Sequence, residues 1–255
     1  MPESTPPSYR KWLLVSPAAS PRLRLFCFPF AGGGASAYLP WLKSLPEGVE
    51  VCPVQLPGRE GRRQEVAFDR VQPLVEALAQ DLLPLFNVPF AFFGHSMGSL
   101  ISFELALELR RRGMALPVHL FASGHRAPQC PDPDPPMHDL PEPEFIKRMG
   151  ELNGTPKEVM ENLDLVRLFI PLLRRDAALC ETYKHMAQAP LECSITAYGG
   201  LADPKATREE LEAWKPHTAR GFALQMFPGD HFFLLQDRQP LLRVLSHSLR
   251  TIVQG

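Results

Sequence analysis

The segment Phe90-Ala91-Phe92-Phe93-Gly94-His95-Ser96-Met97-Gly98 sets a serine between two glycines, after an apolar run and before a helical pattern. This spacing predicts a sharp strand-to-helix turn that projects the Ser96 hydroxyl from the C-terminal edge of a sheet. A hydroxyl is a poor nucleophile unless a base takes its proton and a third group orients that base. On such a turn the partners follow in the chain order Asp or Glu, then His. Of the eight histidines, His95 precedes the serine and His119 lies inside a predicted strand, while His125, His138 and His185 fall in or beside an irregular segment. His217 occupies a polar stretch and His247 the last helix. His231 alone closely follows a late strand, in Phe227-Pro228-Gly229-Asp230-His231-Phe232-Phe233, and is the candidate base.

For the acid, Asp203 follows the penultimate strand, from which a carboxylate can reach a histidine one strand over. Asp230 adjoins His231, and neighbouring side chains diverge; Asp164 and Asp176 sit in predicted helices of the irregular segment. Asp203 is therefore the candidate acid. Stabilising a tetrahedral oxyanion takes two backbone N–H donors. One is Met97, directly after the nucleophile. The other belongs to the loop after an early strand, Pro29-Phe30-Ala31-Gly32-Gly33-Gly34, with Ala31 the candidate. The glycines alone suggest a phosphate loop, but no Gly-Lys-Ser/Thr follows them.

These residues need a sheet whose loops converge, and the hydrophobic pattern supplies one. Trp12 to Val15, Leu23 to Phe28, Val49 to Leu56, Phe90 to Phe93, Val118 to Ala122, Cys193 to Tyr198 and Phe222 to Phe227 read as strands. Helical spacing marks Val71 to Phe86, Met97 to Arg112 and Asp237 to Val253. Continuous apolar strands separated by helices predict a mostly parallel sheet covered on both faces. Between about 126 and 190 the alternation stops. Seven prolines fall from Pro128 to Pro143, a short helix is expected near Glu144 to Leu152, and Thr155-Pro156-Lys157-Glu158 offers a capping box. A helical pattern then runs from Leu163 to Met186, with a kink or break expected near Pro171. The reading is one α/β domain over residues 1–255 with an inserted helical lid at about 126–190.

Composition sets the outer bounds. With 45% hydrophobic and 22% charged residues the chain of 255 can bury a substantial core, and its net charge of −1 argues against a broadly basic nucleic-acid surface. Proline, at 28 residues, is about twice its usual share and must collect in loops and helix starts. Five scattered cysteines without a Cys-x-x-Cys pair give neither a disulfide framework nor a structural zinc site, and Cys27, Cys52 and Cys193 fall in apolar strands. No apolar run reaches membrane-spanning length and the N-terminus lacks a secretory pattern, so a cytoplasmic protein with reduced thiols is expected.

Taken together, Phe28-Pro29-Phe30-Ala31-Gly32-Gly33, Gln55-Leu56-Pro57-Gly58-Arg59-Glu60, Gly94-His95-Ser96-Met97-Gly98, Leu173-Arg174-Arg175-Asp176, Glu181-Thr182-Tyr183, Gly200-Leu201-Ala202-Asp203 and Gly229-Asp230-His231-Phe232-Phe233 resemble the type II thioesterases. These are discrete α/β-hydrolases that serve polyketide, nonribosomal-peptide and fatty-acid synthases. The resemblance implies an α/β-hydrolase fold, Ser96, Asp203 and His231 as triad, and Ala31 and Met97 as oxyanion donors. It implies an acyl thioester on the phosphopantetheine arm of an acyl or peptidyl carrier protein as substrate, no cofactor or metal of the enzyme's own, and an editing role. Arg175, where relatives carry a small residue, and Ala177, where an aromatic is common, depart from the pattern. Leu168, Phe169, Leu172 and Leu173 are candidates to cover an acyl chain, and a core-packing role suits them equally. Arg59, Arg62 and Arg63, following Pro57-Gly58, are candidates to dock an acidic carrier. An acyltransferase or cyclising thioesterase would use the same triad. A small-ester carboxylesterase and a non-catalytic binding module remain as rivals.

Overall fold

A computed structural model describes residues 7–18, 20–151 and 162–254. Six strands, β1 (Leu23–Phe28), β2 (Val49–Pro53), β3 (Phe90–His95), β4 (His119–Ser123), β5 (Ser194–Gly200) and β6 (Phe222–Phe227), form a sheet in the order β2-β1-β3-β4-β5-β6. Every pairing is parallel. Helices α1 (Val71–Leu82), α2 (Met97–Arg111), α3 (Glu142–Glu151), α4 (Leu163–Glu181), α5 (Arg208–Glu212), α6 (Phe233–Gln236) and α7 (Arg238–Gln254) connect and cover it.

The inner strands β1, β3, β4 and β5 are buried on both faces, as a parallel sheet requires, while the edge strand β6 is partly exposed. Along β1 and β3 the side chains alternate between two cores. Phe26, Phe28, Phe90 and Phe92 pack with α1 and α2, whereas Leu25, Cys27, Ala91 and Phe93 pack with Tyr38, Trp41 and the Leu241, Leu245 and Leu249 stripe of α7. The chain leaves β1 toward β2 on one side, then returns past it to β3 on the other. The loops that follow β1 and β3 therefore diverge and leave a crevice at the carboxyl edge, the usual place for a ligand in such sheets.

The segment between β4 and β5 holds α3 and α4, which bury a small core of their own: Met137, Phe145, Met149, Val166 and Ile170. The expected break at Pro171 does not occur, and α4 runs through it. Pro171 is on the exposed side, where water can satisfy the carbonyl that loses its partner. The capping box at 155–158 lies outside the described residues. Trp12 to Val15 is not a strand: a 3-10 helix ends at Trp12, whose indole N–H donates to Asp81 Oδ2 at 2.8 Å, and Leu13 makes a single antiparallel bridge to Val54. Two backbone hydrogen bonds, Gln55 N–H to Trp12 O at 2.8 Å and Leu14 N–H to Pro53 O at 3.2 Å, form that bridge, and the side chains of Trp12 and Leu13 pack toward α1. Among the described residues no helix is long and apolar enough to cross a membrane.

Candidate active site

Ser96 stands between β3 and α2 with φ 53° and ψ −121°, a left-handed backbone that a side chain adopts at a cost of about 1–3 kcal/mol. The flanking glycines make this turn tight enough to be useful. A Cβ on Gly94 would lie 2.1 Å from the Gly98 carbonyl oxygen, and one on Gly98 would lie 2.1 Å from the Phe28 carbonyl oxygen. The N-terminus of α2 is thus pressed onto the end of β1. The turn is also fastened to β4, because Ser96 N–H donates to Ser123 O at 2.7 Å. Ser99 Oγ accepts Ser123 N–H at 2.9 Å and sits 2.8 Å from Gly94 O. Ser99 and Ser123 have no motif of their own in the sequence, and only the fold reveals their bracing role.

Asp203 and His231 come from the loops after β5 and β6, which are neighbouring strands. Ala202 N–H donates to Gly229 O at 2.9 Å, drawing the two loops together, and His231 Nδ1 lies 2.8 Å from Asp203 Oδ2. The second carboxylate oxygen accepts Lys205 N–H at 2.8 Å, so the buried acid is fixed at both ends. A ring whose Nδ1–H is held by a carboxylate presents a basic Nε2 on its other side. Asp230 faces elsewhere: its Oδ1 accepts Phe232 N–H at 2.8 Å and Gln236 Nε2–H at 3.0 Å.

The His95 ring, one residue before Ser96, lies 5.1 Å from the His231 ring between centroids, with Nδ1 2.9 Å from Ser123 Oγ. Burial pushes the His95 pKa well below its ordinary value, and burial likewise pushes His125 down to about 4. Both rings therefore favour the neutral form and add no positive charge near His231. Phe30, from the loop after β1, touches the His95 ring at 5.9 Å and the Phe232 ring at 5.3 Å. Three loops, bearing Ala31, Ser96 and His231, converge at this aromatic contact.

In the loop after β1, Gly33 N–H donates to Phe30 O at 2.9 Å, closing a turn in which Gly32 has φ 73°. Glycine is favoured at that third turn position because its φ is positive. Phe30 O and Ala31 N–H belong to one peptide plane, so the turn bond aims the Ala31 N–H away from Gly33. Met97 N–H opens α2, where the helix dipole favours negative charge.

Residues 23–250 match the thioesterase domain model. The chain belongs to the thioesterase family. This thioesterase is 45% identical over 246 residues to the gramicidin S biosynthesis protein GrsT of Aneurinibacillus migulanus, covering 95% of each chain. Among solved structures it superposes on RedJ, a thioesterase from the prodiginine biosynthetic pathway of Streptomyces coelicolor, with a TM-score of 0.84 and 40% identity over 92% of this chain and 95% of that one. The type II thioesterase BorB from the borrelidin biosynthetic cluster gives 0.82 and 35%, over 92% and 96%. The fold is accordingly that of the α/β-hydrolases, and the enzyme is a type II thioesterase, a hydrolase of thioesters.

The arginines expected at a docking surface of the thioesterase are placed differently from one another. Arg59 is buried and forms a two-pronged ion pair with Asp176, at 2.7 and 3.0 Å, so it offers nothing to a partner. Arg62 is mostly covered, stacking 4.6 Å from the Trp12 ring and pairing with Glu65. Only Arg63 of the three is exposed. The apolar candidates on α4 also divide. Leu173 and Leu172 pack toward Gly32 and Gly58, with methyl carbons 2.7 and 3.3 Å from where a Cβ would stand on those glycines. Leu168 and Phe169 are exposed, at 74% and 46%.

The remaining motif residues hold α4 in place. Arg174 donates to the carbonyls of His138 and Leu140 and lies over the Phe145 ring, while Glu181 accepts the N–H groups of Met137 and His138. Tyr183 donates to Glu104 Oε1 at 2.7 Å, and Arg175 reaches Ala67 O and Asp69.

Proposed function

We propose that this thioesterase frees acyl groups from the phosphopantetheine arm of carrier proteins through an acyl-enzyme on Ser96, editing a peptide or polyketide assembly line. The observation that carries the reading is the Asp203–His231 pair, at 2.8 Å, set against the strained Ser96 turn. His231 Nε2 takes the Ser96 proton as Oγ attacks the acyl carbonyl, and Asp203 holds the ring in the required tautomer and stabilises the imidazolium. Ala31 and Met97 N–H groups receive the oxyanion. The pantetheine thiol, whose ordinary pKa lies far below that of an alcohol, leaves readily. A water activated by His231 then releases the free acid. These steps call for no metal or cofactor of the enzyme's own.

The pathway names of GrsT, RedJ and BorB support an assembly-line carrier as the partner. We assign the segment between β4 and β5 as a lid over the crevice. Leu173, against the oxyanion loop, and Leu172, against Gly58, form its inner wall, and the exposed Leu168 and Phe169 give an approaching acyl chain apolar surface worth ~0.8 kcal/mol per buried methylene. Arg63 is the docking arginine that survives.

The test is release of free acid from acetyl- and octanoyl-carrier protein by wild type and Ser96→Ala, with p-nitrophenyl acetate as the ester control. Turnover of thioester in preference to ester, abolished by the substitution, is expected. Acyl groups that stay on the carrier unless an added nucleophile accepts them would favour the acyltransferase instead.

A further inference from the structure

We infer that Asp176, locked by Arg59, is a positioning residue for the oxyanion loop, which makes lid helix α4 part of the catalytic framework. The inference rests on the reading of Ala31 N–H as an oxyanion donor. Asp176 and Arg59 are 117 residues apart, and both are buried. Asp176 Oδ2 accepts Gly32 N–H at 2.8 Å and Arg59 Nη1–H at 3.0 Å, while Oδ1 accepts Arg59 Nη2–H at 2.7 Å. Arg59 Nη1 also donates to Gly33 O at 3.1 Å. One ion pair therefore grips both an N–H and a C=O of the Phe30–Gly33 turn.

The grip selects a conformation. In such a turn the peptide between Ala31 and Gly32 has two orientations, related by a flip that exchanges the directions of its N–H and C=O. With Gly32 N–H toward Asp176 the carboxylate accepts a charge-assisted bond, and after a flip it would face the Ala31 carbonyl and be repelled. Either orientation can keep the Phe30 O–Gly33 N–H bond, so it is the grip of Asp176 on Gly32 N–H and of Arg59 on Gly33 O that holds the turn in the one closed form that aims the Ala31 N–H. A neighbouring brace acts on the same loop. Glu60, one of two non-glycine residues with positive φ among those described, accepts from Ser36 just beyond the glycines. The Gln55–Glu60 and Leu173–Asp176 motifs, which a triad alone leaves without a task, thus meet on the oxyanion loop.

A role confined to anchoring α4 would be redundant with Arg174, Arg175, Glu181 and Tyr183, none of which bonds this loop. A buried ion pair is also a poor stabiliser, since an apolar pair of similar volume commonly does as well. What the apolar pair lacks is an acceptor for Gly32 N–H.

The decisive experiment compares wild type, Asp176→Asn and the double variant Arg59→Met with Asp176→Leu, each first shown to melt cooperatively. Kinetics are measured on octanoyl-carrier protein. Affinity is measured for an octyl trifluoromethyl ketone, which forms a tetrahedral oxyanion on serine, and for the matching unreactive thioether. A misaimed donor should lower kcat and ketone affinity together by about 10- to 100-fold, with KM and thioether affinity within about threefold. The double variant should fold as stably as wild type and show the same defect. Wild-type kcat and ketone affinity in the folded double variant would overturn the inference, as would equal weakening of ketone and thioether. Ser96→Ala runs alongside. If it still turned over thioester, the active-site reading would fail first; if it were dead while the Asp176 variants stayed normal, only the positioning role would fall.

Discussion

Replacing Gly98 by alanine tests the geometry of the nucleophile turn with a single methyl group. Its Cβ would stand 2.1 Å from the Phe28 carbonyl oxygen and 2.9 Å from that of Pro29, where ordinary contact begins at 3.4 Å. Both obstacles are backbone, so no rotamer change relieves them. Relief requires the N-terminus of α2 to move about 1 Å from the end of β1, and overpacking of this kind costs about 3 kcal/mol. For a domain of this size that corresponds to a fall in Tm of roughly 6–12 °C. The same displacement separates Met97 N–H, on α2, from Ala31 N–H, just beyond β1, and an error of about 1 Å in catalytic geometry costs on the order of 100-fold in kcat. Calorimetry and thioester turnover on Gly98→Ala would be read against Gly61→Ala, where nothing lies within 4 Å of the added carbon and little change is expected. A Gly98→Ala protein that melts within about 2 °C of wild type and keeps kcat within about twofold would refute the close-approach argument.

Two further outcomes follow from the site. Asp203→Asn should lower kcat by about 10⁴ with little change in KM, because an amide at 2.8 Å from His231 Nδ1 favours the wrong tautomer; a loss under tenfold in steady-state assays would remove Asp203 from its role. Acid should destabilise the fold in a defined window, since burial pushes His119 and His125 down to about 4 and His95 well below its ordinary value. The unfolded chain protonates these rings near pH ~6.5 and the folded one does not, so stability is complete above that pH and declines as pH falls toward 4. Tm at pH 5 should lie at least ~4 °C below its value at pH 7, His119→Gln should reduce the difference, and a flat profile would contradict the assignment.

Much of the candidate site was legible because its determinants are local. The glycine spacing about Ser96, the strand before it and the helix after it occupy one short window, and the demand on Gly94 is set within it, although that on Gly98 comes from the distant Phe28 carbonyl. The chain order of Ser96, Asp203 and His231, each after a strand, also survives without coordinates, as do the sheet and its two covering layers. Local windows misled where a segment's fate depended on distant neighbours. Trp12 to Val15 has the apolar look of a strand but finds its partner in α1, and α4 continues through Pro171 because the residue faces outward.

The sequence by itself therefore determined the family, the fold and the residues expected to do chemistry. The tertiary structure decided what holds them. Arg59 reads in sequence as a solvated loop charge, and three arginines in five residues suggest a docking patch. In the fold it is buried against Asp176, 117 residues away on α4, where both side chains meet the loop after β1. Burying an arginine is tolerable only with a carboxylate in place to receive it. That pairing is a property of the assembled sheet and helix α4, which no local pattern around either residue encodes.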